Sequence, residues 1–314
     1  MSCYHPIKRY ITADGGTFEK PHGHSGAHTK HPCRKCTGCR LDHRTEWSLR
    51  MMHEASMHED CQFVTLTYDD DHLPEDQSLD QTHMQKFFRR LRKEFSPKKI
   101  RFVYSGEYGG QTSRPHYHAI IFGLELDDLK KIDKNERGEP LYQSEKLEQI
   151  WGNGYCIVGA VTHQSCGYVA SYMLKDIEGN YNKDEPYEII DLETGEVRER
   201  RRPFARYSNR PGIGRSWFDE YHADCFPSDF ITSKGKKYSV PGYYFRLLEE
   251  RDPETYAEVK ERREAAIYTD ENKANTTKER LKSREICRKA KLSLRKRGTQ
   301  QKPEQKTAFT VGMK

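Results

Sequence analysis

Arg114-Pro115-His116-Tyr117-His118-Ala119-Ile120-Ile121-Phe122-Gly123 reads as a strand with a polar start that runs into a purely apolar stretch. Strand side chains alternate between faces, so His116 and His118 share one face while Tyr117 and Ala119 take the other. Two imidazoles placed this way are close enough to hold one metal ion. Pro115 disfavours helix at Arg114 and Gly123 ends the run, which defines the register. On spacing alone, two solvated histidines on an open sheet face would also do. The second informative stretch is Gly167-Tyr168-Val169-Ala170-Ser171-Tyr172-Met173-Leu174-Lys175. On a helix, Tyr168, Tyr172 and Lys175 form one polar stripe, leaving Val169, Met173 and Leu174 for a sheet.

Working outward, Gln62 to Tyr68 alternates as a first strand, broken by Asp69-Asp70-Asp71 and Pro74. Met84, Phe87, Phe88, Leu91 and Phe95 fall at helical spacing and form a core stripe. Ile100 to Tyr104 gives a second strand, and Ser105 to Arg114 a Gly-rich connection into the histidine strand. Glu145 to Trp151 is a short helix stopped by Gly152-Asn153-Gly154, and Tyr155 to Val161 a fourth strand. The succession predicts an α+β fold, a ferredoxin-like βαββαβ antiparallel sheet with the histidine strand in a central place. Glu107, just after the second strand, could add a hard oxygen ligand to His116 and His118. Two imidazoles and a carboxylate with open positions suit Mg²⁺, Mn²⁺ or a transition metal.

The first forty residues carry little apolar periodicity and need something other than a core to order them. Cys33, Cys36 and Cys39 recur every three residues and can converge on a structural zinc, with Cys3 as fourth ligand and His28 and His31 as rivals. Asp42 to His58 reads as an amphipathic helix docking on the domain that follows. Arg210-Pro211-Gly212-Ile213-Gly214-Arg215 is a Gly-rich basic loop able to hold phosphate, although a plain turn explains it too. Arg114, Arg210 and Arg215 are thus candidate DNA-binding residues.

Hydrophobic residues make up only 34% of the 314, and charged ones 32%, which points to one good domain with solvated extensions. The expected organisation is a Cys-rich segment with its docking helix over 1–60, the main α+β domain over 61–220, and a charged helical arm with a basic tail over 221–314. Of the formal charge of +6, residues 281–306 hold ten Lys or Arg against Glu285 and Glu304, a local +8 that leaves −2 elsewhere. Such a tail fits a polyanion binder or a solvated extension. No run approaches a membrane span, no signal peptide is visible, and the scattered Cys61, Cys156, Cys166, Cys225 and Cys287 read as reduced thiols.

Arg114 to Gly123 resembles motif 2 of the HUH endonucleases, and Phe63 to Tyr68 their motif 1 strand. Tyr168 to Lys175 resembles the two-tyrosine motif 3 of microvirus rolling-circle replication initiators, and the chain as a whole looks like those of the gokushovirus branch. The resemblance runs from the cysteine cluster to Trp217. It implies a metal-dependent, site-specific nickase and strand transferase acting on single-stranded and origin DNA in the cytoplasm of a bacterial host. His116 and His118 would be metal ligands, Tyr168 and Tyr172 nucleophiles, and Lys175 the lysine that follows them. A host polymerase would extend the free 3′-hydroxyl, and with no Walker A sequence a host helicase would unwind. Two departures stand out: Tyr117 where relatives carry an aliphatic residue, and Ser171 where they often carry lysine. The competing expectation is a zinc-stabilised nucleic-acid-binding module without chemistry, its tyrosines stacking on bases; a weaker one is a metal hydrolase that uses water.

Overall fold

The computed structural model describes residues 3–12, 15–22, 26, 28–109, 112–173, 187–190, 195–233 and 235–300. The chain forms two compact units, Met1–Arg40 with Arg263–Lys314, and Leu41–Arg262. In the first, β1 (Ile7–Thr12) lies between β2 (Gly15–Thr17) and β3 (His28–His31) in a small antiparallel sheet. The cysteine segment follows and leads into α1 (Thr37–Ala55), which begins inside it rather than at Asp42.

In the second unit come β4 (Cys61–Tyr68), α2 (Gln81–Glu94), β5 (Arg101–Tyr108), β6 (Pro115–Phe122), β7 (Lys130–Lys134), β8 (Pro140–Gln143), α3 (Glu145–Trp151), β9 (Gly154–Ala160) and α4 (His163–Met173). Then follow β10 (Tyr187–Ile190) paired with β11 (Val197–Arg200), β12 (Phe204–Tyr207), α5 (Arg215–Tyr221), β13 (Phe230–Ser233) paired with β14 (Lys236–Ser239), α6 (Gly242–Arg251) and α7 (Pro253–Ile267). The helices α8 (Asp270–Asn275) and α9 (Lys278–Gln300) belong to the first unit.

The second unit is built on a seven-stranded antiparallel sheet in the order β12-β5-β6-β4-β9-β8-β7. Helices cover both faces, and this explains the unbroken apolar run of β6. Tyr117, Ala119 and Ile121 point to a core shared with Met84, Phe87, Leu91 and Trp151 of α2 and α3. Ile120 and Phe122 point the other way, to Trp47 and Met51 of α1 and to Val169 and Ala170 of α4. His116 and His118 share that second face, at the end where the apolar packing stops. The histidine strand is therefore held by β5 and β4 on its flanks and by a core beneath it.

Local signals account for the ends of α2 and α3. Asp80 accepts from the Thr82 N–H at 2.7 Å at the start of α2, and Ser144 from Leu147 N–H at 3.1 Å at the start of α3. Gly152, at φ 63°, closes α3 in the left-handed region.

Three features differ from the sequence reading. The second strand continues past Tyr104 to Tyr108, so Glu107 stands on β5 directly across from His116, not in a connection. Ser105 and Gly106 carry little strand signal, but the pairing with β6 overrides this, and a Cβ on Gly106 would come within 3.1 Å of the Tyr117 ring. Two further edges extend the sheet, β12 beside β5 and the β7–β8 hairpin beyond β9.

The Tyr117 departure also has a structural reason. Its buried hydroxyl donates to Asp80 O at 3.0 Å, accepts from Asp80 N–H at 2.7 Å and meets Tyr68 Oη at 2.9 Å. The phenol thereby ties the histidine strand to the start of α2. Unpaired, such a group would cost about 1–3 kcal/mol.

Candidate metal and tyrosine site

Strand register assembles the first part of the site. Across β5, β6 and β4, Glu107 and Thr67 flank His116, and Ser105 and Thr65 flank His118. Glu107 Oε1 lies 2.9 Å from His118 Nε2 and 3.8 Å from His116 Nε2. Three ligand atoms thus converge, all within 4.8 Å of one another. Donors about 2.1 Å from one ion in neighbouring octahedral positions would stand about 3 Å apart, so small rotations would suffice to close the set.

The outward nitrogens of both imidazoles are held from behind. His116 Nδ1 is 3.1 Å from the Arg114 carbonyl, an acceptor only, so Nδ1 carries the proton and Nε2 offers its lone pair. Thr65 Oγ1 is 2.9 Å from His118 Nδ1, and the Phe63 ring stacks on His118 at 5.7 Å and 8°. Burial, aided by the neighbouring His118, lowers the His116 pKa below its usual 6.5 and keeps the ring neutral, as a ligand must be.

The second part comes from α4, whose Val169 and Ala170 are buried against the sheet while the tyrosine face turns to the histidines. Tyr168 Oη donates to Glu107 Oε1 at 3.4 Å and lies 3.4 Å from His118 Nε2; Tyr172 Oη donates to Tyr168 Oη at 3.0 Å. Burial raises both phenol pKa values, and Glu107 raises them further. For Tyr168 the hydrogen bond from Tyr172 works in the opposite direction. Tyr168 remains 38% exposed and, with His118, Phe63 and Arg44, lines a groove of about 450 Å³ bordered by Asn135 to Leu141 and α4. The Tyr168 side chain is thus partly open to this groove.

The other candidate residues are placed as follows. Arg114 bridges Asp70 at 2.7 Å and the Tyr68 carbonyl at 3.1 Å, tying the start of β6 to the end of β4. Arg215 pairs with Asp219 at 2.9 Å and Glu250 at 3.8 Å, while Arg210 is exposed. Neither is bonded to the Glu107, His116 and His118 group. The Gly214 N–H turns inward to Glu54 Oε2 at 2.7 Å instead of outward toward a phosphate. Ser171 Oγ donates to the Tyr168 carbonyl at 2.6 Å. Lys175 lies outside the described residues.

Thr65 and Arg44 were missed from the sequence. Threonine in a strand carries no functional signal of its own, and Arg44 sits on a helix remote in sequence. Its Nε donates to Gly167 O at 2.8 Å, leaving the guanidinium at the groove beside Tyr168.

In the first unit, Cys3, Cys33, Cys36 and Cys39 bring their sulfurs within 4.8 Å of one another. The Cys33–Cys39 and Cys3–Cys36 separations are both 4.0 Å, against about 3.8 Å for four sulfurs around a tetrahedral zinc. His31 is turned to Thr29 Oγ1 at 3.0 Å. Burial raises the Cys3 and Cys39 thiols. At Cys36 the hydrogen bonds from the Cys39 and Tyr4 amides outweigh burial and bring the pKa down to about 7, making it the first thiolate.

A family model for replication-associated proteins of the ORF2 type matches residues 61–177, the stretch that carries the whole histidine and tyrosine site except its groove-lining Arg44. The chain is 32% identical over 268 residues to replication-associated protein VP4 of Bdellovibrio phage phiMH2K, covering 82% of this chain and 80% of that one. It is 31% identical over 290 residues to replication-associated protein ORF2 of Spiroplasma virus 4, covering 84% and 86%. Replication-associated protein ORF4 of Chlamydia phage 1 is 30% identical over 224 residues, covering 69% and 53%. No solved structure matches the chain. Similarity of this extent, over most of both chains in two of the three relatives, means that this protein belongs to the replication-associated proteins of the gokushoviruses.

Proposed function

We propose that the protein initiates rolling-circle replication by nicking one strand of the viral duplex at its origin through tyrosine transesterification. The observation that carries this reading is the Tyr168 hydroxyl, 3.4 Å from both Glu107 Oε1 and His118 Nε2. The strand order β5-β6-β4-β9, with α2 and α3 on one face, supports a ferredoxin-like core of the HUH type. Glu107, His116 and His118 would hold a divalent cation such as Mg²⁺ or Mn²⁺, which when bound would polarise the scissile phosphodiester.

Tyr172 donates to Tyr168, and Tyr168 directs its own proton at Glu107, so Tyr168 is the first nucleophile. Its oxygen attacks phosphorus, a phosphotyrosyl bond to the 5′ end forms, the bond to the 3′ oxygen breaks, and that oxygen leaves as a 3′-hydroxyl, taking up in net the proton that the Tyr168 phenol gives up. Tyr172 is the second nucleophile, acting while the first holds a DNA end. Rejoining reverses the step and needs no ATP, because the phosphodiester energy is kept in the tyrosyl ester. Arg44 would face the substrate backbone in the groove, and Lys175, from its sequence position, the phosphate. A host polymerase would extend the 3′-hydroxyl and a host helicase would unwind, in the cytoplasm of the infected cell; no described helix is long and apolar enough to cross a membrane. In this reading the four cysteines hold a structural zinc, and residues 61–220 are the nuclease domain between a Cys-rich segment and a helical arm.

The test is an origin oligonucleotide labelled on the 3′ side of the cut, incubated with protein and Mn²⁺ and run on a denaturing gel. Label should move to the protein band, and EDTA should prevent it. Cleavage without label transfer would favour water as the nucleophile, and tight binding of intact origin DNA the non-catalytic module.

A further inference from the structure

One face of α9 is a row of cations. Arg280, Arg284, Arg288 and Lys291 stand at intervals of four, four and three residues, which returns each to the same side of the helix. With Ser283 and Tyr4 they line a groove of about 280 Å³ inside the first unit. The acidic residue in the middle of the helix is engaged elsewhere: Glu285 pairs with His5 at 2.7 Å and with Lys289 at 3.0 Å. None of the four cations has a described carboxylate partner, so the row keeps its charge. Two of them are oriented from the neighbouring turn, Arg284 Nη1 donating to the Asn275 carbonyl at 3.2 Å and Arg280 Nε to Asn275 Oδ1 at 3.4 Å.

We propose that this face of α9 binds the sugar-phosphate backbone of duplex DNA without regard to sequence. At about 1.5 Å per residue the row extends roughly 16 Å. A duplex strand presents a phosphate about every 3.4 Å of axis, so a row of this length spans about five, enough for one to each of the four cations. Single strands are bound largely by stacking on successive aromatic side chains, whereas α9 carries no Phe, Tyr or Trp and the groove beside it is lined by a single aromatic residue, Tyr4. Arg295, Lys296 and Arg297 continue the basic sequence. The inference stands apart from the nicking chemistry, since a backbone grip needs neither tyrosine.

The experiment uses the full chain, a duplex of about 25 base pairs of arbitrary sequence, and anisotropy titrations over a range of salt. Replacing Arg280, Arg284, Arg288 and Lys291 together by Gln should weaken duplex binding at least tenfold at low salt. The plot of log affinity against log salt should become shallower by about 3 to 4, near 0.9 for each phosphate that is no longer neutralised. Lys282→Gln with Lys289→Gln, on the opposite side of the helix, should leave the slope within about one unit of wild type. Helicity by circular dichroism should be unchanged in both, and a short single-stranded origin oligonucleotide should be nicked at the wild-type rate. An unchanged slope would overturn the proposal. So would an equal loss in the opposite-face variant, or a loss confined to single strands, anionic vesicles or an acidic peptide.

Discussion

Among the described residues, side chains able to hold a metal ion gather in two places, built on opposite plans. Glu107, His116 and His118 stand on neighbouring strands in the middle of a seven-stranded sheet, where register and a core below them fix their positions. They offer three donors, and the side facing Tyr168 opens into a groove. Cys3, Cys33, Cys36 and Cys39 come from the N-terminal segment and the first turn of α1, in a unit whose three-stranded sheet has almost no core, and their four sulfurs gather within 4.8 Å of one another. The first site has rigid support and a free side; the second has neither. In the function proposed above, this contrast gives chemistry to the one and folding to the other, because a closed sulfur site would leave no coordination position for substrate and a sparse sheet would gain a staple.

Removing the staple should have the largest effect. Structural zinc contributes on the order of 10 kcal/mol in small modules. Cys36→Ser or chelation should therefore unfold residues 1–40, read as loss of amide protection there, while nicking of a short oligonucleotide survives within about tenfold. Equal protection with and without metal would break the contrast. His116→Ala with His118→Ala should do the reverse. Nicking should fall about 10³-fold or more, the several kcal/mol lost with a Lewis acid, and protection of residues 1–40 should not change.

Acid should separate the two sites as well. Cys3 and Cys39 have raised pKa values and must lose protons to a metal, whereas burial lowers the His116 pKa and favours the neutral ring that a metal needs. Between pH 7 and 6, zinc affinity at the cysteines should drop about tenfold for each proton displaced, while Mn²⁺ affinity at the histidines changes by less than tenfold. Titrations at the two pH values decide it. The smallest effect should come from Thr65→Val. It removes the hydroxyl behind His118 and should weaken Mn²⁺ binding about 10- to 100-fold without touching zinc.

What could be read from the sequence was whatever depends on periodicity. The histidines share a face because strands alternate, and the tyrosines share one because helices repeat, so both pairs were visible before any contact was known. The stripe of α2 and the stop at Gly152 were legible for the same reason. Strand signals failed where pairing, not propensity, makes the strand: Ser105-Gly106 continues β5 because β6 lies beside it, and this moved Glu107 from a connection to a position opposite His116. The outer strands β7, β8 and β12 are only five, four and four residues long, too short to show an alternating pattern, which hid them. Thr65 and Arg44 act through residues 53 and 123 positions away, a relation that no local pattern encodes.

The most direct test of the tyrosine assignment is to find the atom that holds DNA. The protein is incubated with Mn²⁺ and circular phage-type single-stranded DNA containing the origin, digested with nuclease and protease, and the nucleotide-bearing peptide is sequenced by mass spectrometry. The nucleotide should sit on Tyr168, should vanish with EDTA, and should be absent from the variant with Tyr168→Phe and Tyr172→Phe. A nucleotide on any residue other than these two tyrosines, or cut DNA with none attached, would contradict the account.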